Sequence, residues 1–280
     1  MLGLDVRAEV HAGAVPPAEE RRAGLGLPGD EVLGGGESLI VDGLHPLLGQ
    51  RSGVLDPLFA DRPVAVVDLA GVVYSSGKVF DGLSTGRLDT ESFLRSGSLA
   101  GVRSRADLAL LEDLRDVAQF IIDHRTEPID VTFVRAVNAK ITRSGAIHPG
   151  QLRAQDQQIG VRTRYGRHTP DALTEAELQR IIDTALHSGD QIENALDLFV
   201  NLAKAQPFED GNKRTALFVA NSLLIGSRTH KLLTIPVDEN DPTLSDSFND
   251  LLGRAYVLGE HDGVKRLLRT QGVTERKSQE

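Results

Sequence analysis

The sequence predicts a mainly α-helical bundle preceded by an irregular N-terminal extension, and three observations point there. Apolar residues recur at helical spacing, most clearly as Ile192, Ala195, Leu196, Phe199, Leu202 and Ala203 and again as Ala216, Leu217, Val219, Ala220, Leu223 and Leu224. Aromatic residues make up only 4% of the 280 residues and Trp is absent, so the core has to be built from Leu, Val, Ile and Ala, which suits packed helices. Finally, nine glycines fall between Gly24 and Gly53, with prolines at 16, 17, 28, 46, 57 and 63, so that the first part of the chain has the composition of loops.

In chain order, residues 1–62 form that Gly/Pro-rich extension, with one short strand at 38–41. Gly24-Leu25-Gly26-Leu27-Pro28-Gly29 has the spacing of a dinucleotide-binding glycine loop, but no strand precedes it and Pro28 with Gly29 obstructs a helix start. Residues 63–103 are a separate segment and linker: Val64, Val67, Leu69 and Val72 to Tyr74 predict a short helix that closes at Gly77, with a loop onward to Thr90. Residues 104–270 carry the helical core. Ser104 caps a helix to Asp123 that turns Leu108, Leu111, Val117, Phe120 and Ile121 toward one side, and 130–141 is a second helix with Val131, Val134, Val137 and Ile141 inward. Thr174 with Glu177 makes a capping box for a helix to about Ser188, and Asp190 opens the next. A buried helix follows Arg214 and ends near Gly226; 231–237 is extended and stopped by Pro236; 243–258 and 262–269 are two closing helices. Residues 271–280 form a polar tail expected to fray.

Composition narrows the function. A formal net charge of −9 disfavours general nucleic-acid or anionic-membrane partners, which need a basic surface. The absence of cysteine removes disulfides, thiolate metal sites and a catalytic thiol. The eight histidines include no i, i+4 pair around a glutamate, so a zinc hydrolase is not indicated. With no signal-peptide pattern and no run long enough to span a membrane, the expectation is a soluble cytoplasmic protein.

Chemistry concentrates in Gln206-Pro207-Phe208-Glu209-Asp210-Gly211-Asn212-Lys213-Arg214, a loop between two buried helices. Pro207 ends the helix before it and Phe208 is the one large apolar side chain that can pin the loop. Gly211 lets backbone approach a ligand closely, and the following helix presents free N–H groups and the positive end of its dipole. Lys213 and Arg214 add two cations there, and Asp210 adds the single carboxylate that Mg²⁺ uses when phosphates and water complete its shell. The alternative is that Asp210 caps the helix and the basic pair is a solvated first turn, although cations at a helix N-terminus oppose the dipole.

The stretch resembles the signature of the Fic/Doc (Fido) family, His-Pro-Phe-x-Asp/Glu-Gly-Asn-Gly/Lys-Arg. Seven positions match, from Pro207 and Phe208 through Asp210 to Arg214, and the resemblance extends more loosely over about 64–270. It implies a Fido-type helical bundle with a small β-hairpin flap that binds a nucleoside triphosphate, typically ATP with Mg²⁺, and transfers AMP or phosphate to a protein hydroxyl. By that resemblance Asp210 holds the metal, Phe208 fixes the loop, and Gly211, Asn212, Lys213 and Arg214 complete the nucleotide and phosphate site. Lys213 matches the Doc branch, where the nucleotide lies the other way round and the chemistry is that of a kinase. Leu217 stands where many AMP-transferring members carry a second arginine. The segment 148–170, with Ile159-Gly160-Val161 and the arginines 162, 164 and 167, resembles in position the flap that holds an incoming protein target; as a sequence it reads equally as a basic loop. Residues 74–82 loosely resemble the inhibitory helix of some members, with Asp81 in place of its glutamate and Ser76 one place off its serine.

Gln206 departs from the family, which has a histidine there to take the proton from the attacking hydroxyl. A glutamine amide cannot accept that proton, though it can orient a hydroxyl. A general base is worth roughly 10²–10⁴-fold in rate. Two functional classes therefore stand: a Fic/Doc-like transferase impaired or altered at Gln206, and a catalytically degenerate relative that binds a nucleotide or a partner. His148 and His168 are the histidines near the flap that could replace the base, although polar loop roles suit them as well.

Overall fold

The computed structural model describes residues 63–145 and 147–276. The expectations for the 1–62 extension, its 38–41 strand and its 24–29 glycine run lie outside the described residues. The elements run α1 (Ala70–Asp81), preceded by a 3₁₀ turn at Val66–Leu69, then α2 (Arg87–Ser96), α3 (Arg105–Asp123), α4 (Val131–Asn138), β1 (Val161–Thr163), β2 (Gly166–His168), α5 (Glu175–Ala185), α6 (Gln191–Ala205), α7 (Asn212–Gly226), β3 (Lys231–Leu233), α8 (Thr243–Leu258), α9 (His261–Leu267), a π turn (Leu268–Gly272) and β4 (Val273–Glu275). The described residues are mainly helical with two small antiparallel strand pairs, as expected.

Helix α7 is the centre. Ala216 to Ala220 are all fully buried, and α1, α3, α4, α6 and β3 pack around it, α6 most extensively. A helix apolar on every side is a core helix, which is why its sequence shows almost no polar face. Its buried Asn221 is satisfied within the core: Nδ2 donates to the Leu217 and Leu233 carbonyls at 2.9 and 2.8 Å, while Oδ1 accepts from Leu233 N at 2.9 Å. That side chain docks β3 onto α7. Phe80, Phe199 and Phe248 bring α1, α6 and α8 together with ring centroids 6.2 to 6.4 Å apart.

The caps read from sequence are present: Ser104 accepts from Asp107 N at 2.9 Å, and Thr174 and Glu177 form the reciprocal box. Two further aspartates cap helices as well, Asp130 accepting from Phe133 N and Asp190 from Ile192 N, each at 2.8 Å. Three segments differ from expectation. Helix α1 does not close at Gly77 but runs to Asp81 and is capped by Gly82 at φ 69°. Gly77 is instead where Leu83 folds back over the helix: a Cβ there would lie 3.0 Å from Leu83 Cδ2. The loop expected before Thr90 contains the start of α2, whose buried side chains are only Thr90 and Phe93, too few to give a periodic signal. The tail is ordered through Glu275, because β4 pairs with β3 in the register Lys231↔Glu275, Leu232↔Thr274, Leu233↔Val273. An unpaired strand edge supplies the hydrogen bonds that the tail's own side chains do not announce.

The hairpin falls inside the expected segment. Strands β1 and β2 pair as Val161↔His168, Arg162↔Arg167 and Thr163↔Gly166, with Arg164 and Tyr165 at the tip. The tip is fastened to α8: Asp250 accepts from Tyr165 OH at 2.8 Å and pairs with Arg164, and the Arg254 guanidinium lies 5.3 Å from the Tyr165 ring centroid. Among the described residues no helix is long and apolar enough to cross a membrane.

Candidate active site

Helix α6 ends at Gln206, which takes a left-handed conformation (φ 45°, ψ 60°) and turns the chain into the loop. Phe208 is 1% exposed and anchors that loop in the core. The Asn212 carboxamide closes it reciprocally, accepting from Phe208 N and donating to Phe208 O, each at 2.8 Å. Asn212 therefore points its side chain at the loop's own backbone. Gly211 sits at φ 73°, and a Cβ there would lie 2.8 Å from Ile141 Cδ1 and 3.1 Å from Asn138 Nδ2. The positive φ and these neighbours leave no place for a side chain at this position.

The bland alternative for the motif does not hold. Asp210 Oδ1 accepts from Gly211 N at 2.6 Å, while the first amides of α7 have no side-chain cap. The basic pair is not a solvated turn either. Arg214 is 2% exposed: Nη1 donates to Ser144 Oγ at 2.8 Å and Nη2 to Ser144 O at 3.2 Å. Two carboxylates stand on its other side, Asp81 Oδ2 at 3.5 Å from Nε and Asp210 Oδ2 at 3.5 Å from Nη2. Lys213 lays its ammonium over the Phe80 ring, 4.9 Å from the centroid. Burial pushes the Asp81 carboxyl above its ordinary value against the pull of Arg214 and Lys213, and burial pushes Lys213 below its own against Asp81. Four ionisable side chains therefore share one partly dehydrated place at the start of α7. The fold brings Asp81 to the motif from 133 positions away. Ser76 is not part of that group; it is fully buried in α1, and its hydroxyl has no hydrogen-bond partner among the described residues.

Residues 128–224 match the model of the Fic/DOC family. This segment is similar to Fic/DOC-family domains. Solved structures with the same fold include a fragment of Fic-1 from C. elegans, at 18% identity and a TM-score of 0.54, covering 71% of this chain and 58% of that one. A Fic-domain signalling protein from Bacteroides thetaiotaomicron aligns at 16% identity and a TM-score of 0.53, covering 75% of this chain and 89% of that one. This chain therefore spans little more than half of the Fic-1 fragment. No curated protein matches it.

Around the 206–214 loop stand polar residues that sequence reading missed. Arg153, 3% exposed, donates from Nε to Gln206 O at 2.9 Å, from Nη1 to Gln157 O at 2.7 Å, and from Nη2 to the Pro170 and Asp171 carbonyls at 3.1 and 3.0 Å; its own N–H reaches Pro207 O at 2.9 Å. One guanidinium thus ties both ends of the hairpin segment to the turn that carries Gln206. Asn138 does the same for the next turn, donating from Nδ2 to Asp210 O at 3.1 Å and Thr215 Oγ1 at 3.0 Å, and accepting from Gly150 N at 2.8 Å. Neither belongs to a motif or marks a period, so nothing in the sequence distinguishes it.

The histidines take other roles. His168 donates from Nε2 to Lys204 O at 2.7 Å and packs 5.1 Å from the Tyr256 ring, and burial lowers its pKa. It fastens the base of the hairpin. His148 Nδ1 lies 3.3 Å from Glu209 Oε1, so it contacts the loop through Glu209. The Gln206 side chain makes no hydrogen bond among the described residues, although the residue is only 5% exposed. Among the described residues no three His, Cys, Asp or Glu side chains converge on a metal position. The Asp210 side chain is 54% exposed, which fits an ion completing its shell from phosphate and water and does not fit one held by protein alone.

Proposed function

We propose that this Fic/DOC-like domain is a nucleotide-dependent transferase that moves AMP or phosphate from a nucleoside triphosphate such as ATP to a protein hydroxyl. One observation carries the reading: Lys213, Arg214 and Asp210 converge at the uncapped start of α7, where helix-end amides favour an anion. Arg214 and the α7 amides would bind phosphate oxygens, and Asp210 would hold Mg²⁺, which would supply charge neutralisation at the phosphates. The incoming hydroxyl oxygen forms a bond to phosphorus as the bond to pyrophosphate or to ADP breaks; Gln206 orients that hydroxyl without taking its proton, which passes to water or to the leaving phosphate oxygen. Positioning and charge neutralisation carry much of such chemistry, so the absence of a base slows it rather than forbidding it. The hairpin offers the target protein a strand edge.

Lys213 and Leu217 favour phosphate over AMP. Leu217 is fully buried, so no second cation reaches the phosphates from that position. Asp81 competes with phosphate for Arg214 and acts as the inhibitory acid. A second reading, a domain that binds nucleotide without turnover, is favoured by Gln206 together with that contact.

Incubation of the full chain and cell extract with ATP labelled at the α- or the γ-phosphate separates these. Label should move to protein from the γ-phosphate; α-label transfer would overturn the role given to Lys213, and ATP binding with no transfer would favour the second reading. By titration calorimetry Arg214→Ala should weaken Mg·ATP binding, and equal binding by both proteins would remove the site assignment. Asp81→Asn should tighten it, since its charge no longer competes; unchanged affinity would mean that Asp81 does not restrain the site.

A further inference from the structure

Asp113 lies on α3, fully buried, and the proposed chemistry gives it no part. An isolated buried carboxylate is costly, and this one is saturated with donors. Its oxygens accept from Thr142 N at 3.1 Å, Arg143 N at 2.9 Å, Ser144 N at 2.7 Å and Ser144 Oγ at 2.8 Å, and Arg143 Nη1 stands 3.1 Å away. Burial alone would raise its pKa, but these hydrogen bonds outweigh it and hold the carboxyl below the ordinary aspartate value. The segment 142–144 is thereby wrapped around one anion.

What that wrapping delivers is specific. Ser144 donates its hydroxyl hydrogen to Asp113, which turns the oxygen's remaining lone pairs outward, and both outward acceptors of the residue, Oγ and the carbonyl, meet the same guanidinium of Arg214. Those bonds, at 2.8 and 3.2 Å, have hydrogen-bond lengths. The contacts of Arg214 with Asp81 and Asp210, both at 3.5 Å, are looser ion pairs. One side of the guanidinium is therefore fixed and the other is exchangeable.

We propose that Asp113 is a positioning residue for the phosphate site: acting through Ser144, it fixes Arg214 so that the side facing Asp81 and Asp210 is presented to an incoming phosphate. The proposal rests on the reading of Arg214 as a phosphate ligand. Pre-oriented groups bind more tightly because they lose less freedom on binding. The relay also accounts for a buried charge on α3 where an apolar residue of similar volume would often be as stable.

A double-mutant cycle in the full chain tests it, read by calorimetric Mg·ATP affinity alongside thermal unfolding. Ser144→Ala should weaken binding by roughly tenfold or more, the worth of a hydrogen bond to a charged group, and should lower the melting temperature by a few degrees because Asp113 also loses a donor. Ser144→Thr should restore it, and Ser144→Ala should add no further loss when Arg214 is already Ala. Parent-like affinity in Ser144→Ala, or the same loss in the Arg214→Ala background, would overturn the relay. If the parent chain binds no Mg·ATP, the functional reading fails, and the relay is then judged from the Arg214 Nη–H NMR signal, assigned by its disappearance in Arg214→Lys. A slowly exchanging signal in the parent that is lost in Ser144→Ala and in Asp113→Asn supports positioning; a signal unchanged in both overturns it.

Discussion

Gln206 occupies a left-handed backbone conformation that few non-glycine residues adopt, and Asn, Asp and His tolerate it best among them. Its backbone is held by Arg153 on the carbonyl and by Leu202 O on the N–H, so a replacement side chain inherits the same direction. On that basis Gln206→His should raise any protein-modifying activity by roughly 10²–10⁴-fold, the usual worth of a placed general base. Initial rates of label transfer at saturating ATP measure it. A substantial rate that does not change would show that the chemistry does not pass through position 206. His168 is no substitute, since its Nε2 is already bonded to Lys204 O, and His148 meets the loop only through Glu209.

Among the elements, the hairpin and the motif loop are joined more firmly than either sequence suggests. Arg153 satisfies four backbone carbonyls from residues 157, 170, 171 and 206. Arg153→Met keeps an unbranched apolar stem and removes every side-chain donor, leaving buried acceptors unpaired, and should destabilise the domain by about 2–4 kcal/mol. Urea unfolding measures the loss, and hydrogen exchange should quicken across 157–171. A loss near zero would mean that water reaches those carbonyls freely. Helix α1 is the other case: its extension past Gly77 to Asp81 is what carries an acid to Arg214, and it depends on Leu83 packing over Gly77. Gly77→Ala should therefore loosen the contact without touching either charge.

Across the whole molecule, two buried aspartates link stability to acid. Burial raises the pKa of both Asp107 and Asp113, but hydrogen bonds from Ser84, Thr85 and Ser104 to the first, and from Ser144, Arg143 and Thr142 to the second, leave each below its ordinary value. A carboxyl whose folded pKa is lowered contributes stability that is complete above the unfolded value of about 3.9 and is lost as pH falls through the folded one. Denaturant midpoints should therefore drop steeply below about pH 4, and Asp113→Asn should be less stable at neutral pH with a shallower acid limb. An acid limb of unchanged slope would remove Asp113 from the account. What the sequence by itself determined was local: the capped starts of α3 and α5, the all-round apolar α7, and a nine-residue motif whose members are neighbours in the chain. Only tertiary structure decided that Asp81 faces Arg214, that Asn212 bonds the loop's own backbone while Gly211 packs against Ile141 and Asn138, and that Asp113, Asn138 and Arg153 bond the segments around the loop. Those residues are single polar side chains on or between helices, with no period and no spacing to mark them. Their roles come from hydrogen bonds to backbone groups tens of positions away, and such partners exist only once the helices have packed.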